Sequence, residues 1–574
     1  MYERNYKLLN RKFREFLLPT LFTSMAGNIS IFIDSLLVSI LIGNITLSVM
    51  QIIQPVSTLV NLLYWMIGLG GSLVCAISKA EFDEERSNGL FTASILSMIA
   101  IGIIIMVISL LFTDSILQVL CTSADLKPLA SQFFIYYVIG IPFLCYMMSM
   151  SYFIKSDGFL KLPFVSILIS NVFNLIFDVV FIYYFNWGLQ GAALATTTSF
   201  IIGSLCMSTY FLKKTRTLKF IKIKFHTIRN YLIDICKSGF STASTQLYLT
   251  IKLYVVNFVL GGLVGAIGLV AFNLCYNTMF IVSIFIIGIS QSMSPIISLY
   301  YKEKDYRGVD YVIKKSFKMM IMVDIAFFAL LNIYPQIMIF IFNVQNPEYT
   351  SYIIYALRIF SLSYLLAGTN FLYIFYTQAI QEDKLANILQ LLEGLIFPIG
   401  VLLILTFMFG ESGLWSSFFV TDLLVFLFII AYSRFINKKT NGKYQGFFIK
   451  KAIDDKKFIN YSINANIEDV VGLSSKINEY LADYAESTRV SVAVEEILVN
   501  IINLNESLDS IDVYLKETDE EIILSIKDDG IEYNPIVEND NLEFDNISFL
   551  NRISDKVDYS RILGLNSTVI TIKK

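Results

Sequence analysis

The stretch 171–196 holds the first residues that could do chemistry. Asn171, Asn174 and Asp178 are spaced i, i+3, i+7, so all three lie on one face of a helix. That helix is apolar and long enough to enter a bilayer. A carboxylate inside a membrane is costly unless it faces a polar cavity or a partner. Asp34 stands roughly 17 residues from the inner end of its own apolar span and Asp178 roughly 16 from the inner end of its span, so at about 1.5 Å per residue they reach nearly the same depth. Two carboxylates at one depth, with Asn174 a turn below Asp178, suit a proton or Na⁺ and a cationic substrate. The plainer alternative is that each acid hydrogen-bonds within the bundle. A second constellation lies near the C-terminal end. Glu496 and Asn500 share a helix face at i, i+4, and Asp528-Asp529-Gly530 forms an acidic turn after a strand.

The elements that must position these groups follow from composition. The chain has 574 residues, 55% of them hydrophobic and 16% charged, with a mean hydropathy of +0.63. That is the make-up of a polytopic membrane protein. A net charge of -3 gives no global basic field, so no nucleic-acid partner is expected. The six cysteines lie in or beside apolar runs without a CxxC pair, and they read as packing residues. The lone His226 sits in a basic loop. The first span reads as a retained helix, since no small-residue cleavage site follows a short apolar stretch.

Twelve apolar stretches are expected to span, near 16–41, 47–77, 91–112, 129–154, 162–185, 190–212, 236–260, 266–298, 318–342, 351–378, 386–409 and 413–435. An even number puts both termini on one side. The loops near 213–230 and 300–318 are rich in Lys and Arg, while the turns between (43–46, 186–191, 261–265, 343–350 and 410–413) have none. The positive-inside rule then places both termini in the cytoplasm. The halves read as weak copies: Gly188-Leu189-Gln190-Gly191 precedes span six, and Gly410-Glu411-Ser412-Gly413 precedes span twelve. The expected domains are a six-helix lobe over 1–220, a second over 221–436, a linker over 437–457 and a soluble α+β sandwich over 458–574. A duplicated six-helix unit suits a transporter with its site between the repeats.

Pro19 and Asp34, Pro55, the run Gly68-Leu69-Gly70-Gly71-Ser72, and Asn174-x3-Asp178 before Gly-x2-Gly-Ala-Ala-Leu-Ala-Thr (188–196) together resemble the MATE family, the multidrug and toxic compound extrusion antiporters. The resemblance covers about 10–436. It implies a multi-pass protein of the bacterial inner membrane that exports organic cations or drugs in exchange for H⁺ or Na⁺. It also implies a cation site formed by Asp34, Asn174 and Asp178. Some relatives carry an acid in helix seven, where this chain has Lys252. Lys252, Asp324, Arg358, Glu393 and Asp422 are further charges in apolar stretches. Lys252 is a candidate partner for Glu393, with snorkelling or packing as the alternative; Asp324 and Arg358 lie near the expected helix ends and receive no role.

The order of elements over 458–574 resembles the histidine-kinase-like ATPase fold as found in anti-sigma-factor serine kinases. It is read as strand 458–464, helices 467–485 and 489–505, strands 510–516 and 521–527, helix 545–556, and strands 557–562 and 567–573. The resemblance implies Glu496 as general base, Asn500 as Mg²⁺ ligand, and Asp528 with Gly530 at the nucleotide, so Mg-ATP is the expected ligand. Three departures weaken it. Asp545-Asn546-Ile547-Ser548 replaces a glycine-rich phosphate loop, Glu532 replaces a second glycine, and Leu504 stands where a phosphate-contacting side chain is common. The expectation is a domain that binds ATP weakly or not at all and regulates by contact with a cytosolic protein. No G-x4-G-K-[S/T] run occurs. The competing functions are a lipid-linked oligosaccharide flippase and a membrane-tethered serine kinase or partner-binding protein.

Overall fold

This computed structural model describes residues 4–573 apart from 81–82, 122–123, 158, 160, 215, 452–457, 483, 506–507, 509, 518–519, 532–533, 535–553 and 563–564. Apolar runs with few breakers become long helices. They are α1 Lys7–Ile42, α2 Ile45–Leu63, α3 Gly70–Ala80, α4 Glu84–Leu111, α5 Thr113–Leu120, α6 Lys127–Ser156, α7 Lys161–Asp178 and α8 Gly188–Ser208. Then come α9 Phe225–Leu263, α10 Ala266–Lys302, α11 Tyr306–Ile333, α12 Gln336–Ile341, α13 Pro347–Ser361, α14 Tyr364–Ala379, α15 Asp383–Leu391 and α16 Phe397–Lys439.

Among the described residues nine helices are long and apolar enough to cross a membrane, or ten if one bent pair counts as a span, against the twelve expected. The difference has local causes. In α1, described as one helix from Lys7 to Ile42, the stretch Phe32–Ile42 counts only as a shorter apolar helix among the described residues. The expected span 351–378 is a pair, α13 and α14, bent by 42°. Spans eleven and twelve fuse into one run, Asp383–Lys439, of 57 residues. At 1.5 Å per residue that run is far longer than a bilayer is thick. It is broken at Gly410, whose φ of 59° is the left-handed conformation that favours glycine. The expected span 318–342 also shifts, because α11 starts at Tyr306 and stops at Ile333.

The helices bury two apolar cores. One gathers Leu90, Phe134, Ile141 and Met150 from α4 and α6 with Ala192 from α8. The other gathers Phe272, Tyr300, Tyr364 and Trp415 from α10, α14 and α16, and also takes Leu8, Leu9 and Phe13 from the start of α1. Helix α1 therefore begins on the second core and passes α7 of the first further along.

After α16 a short hairpin, β1 Tyr444–Gln445 with β2 Lys450–Lys451, precedes the C-terminal domain. That domain has β3 Phe458–Ile463, α17 Ile467–Tyr480, α18 Ser487–Leu504, β4 Ile511–Glu517, β5 Glu521–Asp528, β6 Lys556–Ile562 and β7 Leu565–Lys573. The sheet is antiparallel in the order β3-β4-β5-β7-β6. Helix α17 stops at Tyr480, five residues short of the expected end. The expected helix 545–556 falls largely outside the described residues, and its last residue, Lys556, already belongs to β6.

Strand alternation sorts this domain's residues into two faces. Val513, Leu515, Ile522, Leu524, Ile526, Ile570 and Ile572 pack with Val470, Leu473, Ile477, Val494 and Ile497 of the two helices. The opposite set, Ser462, Asp512, Tyr514, Ser525, Lys527 and Ser567, is polar and also buried. What covers it is the α10–α11 turn and the segment before α1. Arg4, its side chain 2% exposed, donates to Asp305 at 2.8 Å and to Asp512 at 3.0 Å. Asp512 accepts from Ser462 at 2.6 Å. Lys527 pairs with Glu303 and stands 3.6 Å from the centre of the Tyr300 ring. Ser567 donates to Glu303 at 2.8 Å, and the Tyr514 hydroxyl donates to the Lys304 carbonyl at 3.2 Å. Burial alone pushes the Asp305 carboxyl up; the charges of Arg4 and Lys527 and the Gly308 N–H outweigh it and hold it below the usual carboxylate range.

Candidate ion and substrate site

Helix α7 delivers Asp178 at its last residue, and the chain continues as a wide π-helical turn over Val179–Tyr184. Such turns interrupt α-helices most often at functional sites. Asp178 is fully buried and Asn174, one turn earlier, is 9% exposed. Asp34, half-buried in α1, lies in side-chain contact with both. The structure thus brings together the three residues expected from the sequence. No donor among the described residues satisfies either Asp178 oxygen, and the Asn174 amide nitrogen donates to nothing there. Two facing carboxyl groups in an apolar surrounding cannot both stay charged without a cation, so the arrangement is suited to a proton or a small cation.

The second core holds a related feature. Glu393 sits in another π-helical turn, Leu392–Ile396, between α15 and α16. Lys252, Glu393 and Asp422 line one cavity of about 90 Å³ with Tyr276, Ser363 and Thr421. Lys252 and Glu393 thus share a cavity with Asp422. Asp324, a charge in an apolar stretch to which the sequence assigns no role, is a buried acid. Its expected place is near a helix end, yet α11 starts earlier and Asp324 is 1% exposed, packed against Gly368, with both oxygens unsatisfied among the described residues. Arg358 is exposed. A buried amide cluster is equally hidden in the sequence. Gln51 of α2 donates to Asn257 of α9 at 3.1 Å and accepts from Asn273 of α10 at 3.3 Å, clasping the two cores together. Only its amides signal it in the sequence, and they sit on three separate helices.

In the C-terminal domain Glu496 is half-buried and Asn500 is 8% exposed on the same face of α18. Asp528 accepts from Asn566 at 2.8 Å and from the Gly530 N–H at 2.9 Å. Asn505 holds the Ile531 N–H at 2.6 Å and crowds Gly530 so closely that an added Cβ would stand 2.2 Å from its oxygen. Leu504 packs against the domain's apolar core. The segment Asp545–Ser548 lies outside the described residues.

Two helical cores with buried acids at wide helical turns define a multi-pass membrane protein with polar sites inside its bundle. The MatE family model matches residues 19–180 and 242–407, and the chain belongs to that family. It is 24% identical over 424 residues to a multidrug export protein MepA of Staphylococcus haemolyticus, covering 73% of this chain and 92% of the relative. A MepA of Staphylococcus aureus is 23% identical over 373 residues, 64% of this chain and 81% of that protein. Among solved structures, an inward-facing multidrug resistance MATE family transporter superposes with a TM-score of 0.66 at 19% identity, over 73% of this chain and 95% of its own. The MATE multidrug transporter DinF-BH gives 0.59 at 23% identity, over 76% of this chain and 98% of its own. These likenesses establish the fold.

Proposed function

We propose that this protein is a secondary active exporter of organic cations or drugs, driven by exchange against H⁺ or Na⁺. The observation that carries the reading is the contact of Asp34 with Asn174 and with Asp178, whose buried oxygens lack donors. Two MepA relatives named as multidrug export proteins support it. In this reading the two six-helix halves, 1–220 and 221–436, rock about the polar sites. The test is dye efflux from vesicles holding the purified chain, under an imposed H⁺ or Na⁺ gradient. Efflux that ignores both gradients overturns the proposal.

We place both termini in the cytoplasm of a bacterial cell, on the basic loops 213–230 and 300–318. Cysteine labelling within 213–230 from outside intact cells should fail. Labelling there reverses the orientation.

The C-terminal domain is proposed as a regulator that acts through its docked face. Its resemblance to the ATPase fold suggests Mg-ATP, with Glu496, Asn500, Asp528 and Gly530 around it. Affinity for a triphosphate needs donors and positive charge around the phosphates. Leu504 gives neither, and Asn505 already fills the space at Gly530. Calorimetry of the full chain with Mg-ATP should therefore show no micromolar binding. A micromolar Kd that is lost in Asn500→Ala would restore the kinase-like reading.

A further inference from the structure

The first two turns of α1 carry Lys7, Arg11 and Arg14 at i, i+4, i+7, one stripe along the helix. The same stripe continues to Leu18 and Phe22, which are 57% and 64% exposed. It therefore runs from cations to lipid-facing hydrocarbon, as a helix does where it enters a bilayer. Against the stripe, α1 and the C-terminal domain enclose a groove of about 420 Å³ lined by Lys7, Leu8, Arg11, Asn464 and Ser510. A second hollow along the stripe is lined by Lys7, Asn10, Arg11, Arg14, Glu15 and Leu18.

Charge and polar groups in the groove point to an anion. Arg11 pairs with Asp529 of the domain, and Lys12 pairs with Glu15 at 2.8 Å. Asp469 accepts from the groove residue Asn464 at 2.9 Å, and against these three carboxylates the described part of the seam sets four cations, Lys7, Arg11, Lys12 and Arg14. The Ser510 hydroxyl is buried, at 2% residue exposure, and has no partner among the described residues. Ser510 lines the groove. The N–H groups at the start of α1 add positive potential at the same end. Lysine, arginine and hydroxyl donors around one groove are the set that binds phosphate oxygens.

We propose that this seam binds the phosphate of an anionic phospholipid headgroup in the leaflet beside the C-terminal domain. Lys7, Arg11 and Ser510 contact the phosphate, and Arg14 lies along the path of the glycerol toward Leu18. Because α1 and the domain both line the groove, a bound headgroup ties them together. The proposal rests on the membrane reading of the helices and is independent of what the protein transports.

The test uses the full chain in nanodiscs of phosphatidylcholine with or without phosphatidylglycerol, read by hydrogen exchange of segments 4–15 and 458–464. Two cations meeting an anionic surface should slow that exchange by about thirtyfold in the anionic discs. In Lys7→Gln/Arg14→Gln the slowing should vanish. Ser510→Val should reduce it while leaving the stripe's charge intact. Equal slowing in the double variant overturns the site. Undiminished slowing in Ser510→Val overturns its location in the groove. Inorganic phosphate producing the same protection in neutral discs would identify a soluble anion and overturn the lipid assignment.

Discussion

Asp34→Asn and Asp178→Asn should each bring gradient-driven efflux down to the leak rate of protein-free vesicles, while the protein stays folded. An amide cannot take up or release a proton, and it cannot balance a bound Na⁺. Either exchange would fail with one member of the pair gone. The effect on stability should run the other way. Both Asp178 oxygens are buried without a donor. Such a pair is retained at a cost, so its neutral isostere should melt at the same temperature or higher. This combination separates a working site from a structural one. An acid that merely hydrogen-bonded within the bundle would lose stability on substitution and keep its transport. Wild-type efflux in either variant, under the gradient that drives the unmodified protein, removes the site from the mechanism.

The meeting of Asp34 with Asp178 is legible because depth in a membrane is a count along the helix. Two apolar spans with known inner ends fix where their acids lie. Asp324 is visible as a charge in an apolar stretch, but its depth is misjudged for the same reason in reverse. Composition starts its helix near 318, since Lys314, Lys315 and Lys318 look like a loop, yet α11 begins at Tyr306 and carries those lysines on its early turns. The glycine at 410 announces a reversal, and the structure puts a left-handed residue there. The strands of the C-terminal domain are readable from period-two alternation. Its second face is not. Ser462, Asp512, Lys527 and Ser567 look like solvent-facing residues, which is what polar positions on a strand usually are. Only their partners at 4, 5, 303 and 305 reveal a docking surface, and those lie roughly 220 to 510 residues away in the chain, where spacing carries no information. The span count suffers from merging, because helices that turn on one glycine keep a continuous apolar composition.

Arg4→Ala should release the C-terminal domain from the membrane helices. Arg4 lies between Asp305 and Asp512, at 2.8 and 3.0 Å, with all three side chains at most 3% exposed. Taking away one partner of a buried charge network leaves the others uncompensated and costs about 3–5 kcal/mol. At about 1.4 kcal/mol per tenfold, docking should weaken by roughly two to three orders of magnitude. Hydrogen exchange of the α10–α11 turn, residues 300–308, reads this directly and should speed up in the variant. The triple variant Arg4→Met/Asp305→Asn/Asp512→Asn removes these charges together and should recover much of the protection, because the buried Lys527 that remains at that junction keeps Glu303 as its counter-charge. Acid provides a second route to the same state. The Asp305 carboxyl is held below its ordinary range, so its contribution is complete above the unfolded value of about 4 and is lost as pH falls through the lower folded value. Docking should accordingly be constant from about pH 8 to 5 and fail only in stronger acid. Transport decides what docking is for. The N-terminal segment gripped by the domain leads into α1, the helix that bears Asp34, so a docked domain restrains the element on which the proposed ion site depends. Undocking by Arg4→Ala should therefore change the efflux rate under a fixed gradient. Unchanged efflux from a chain whose 300–308 turn has become exposed would leave the domain without a regulatory role.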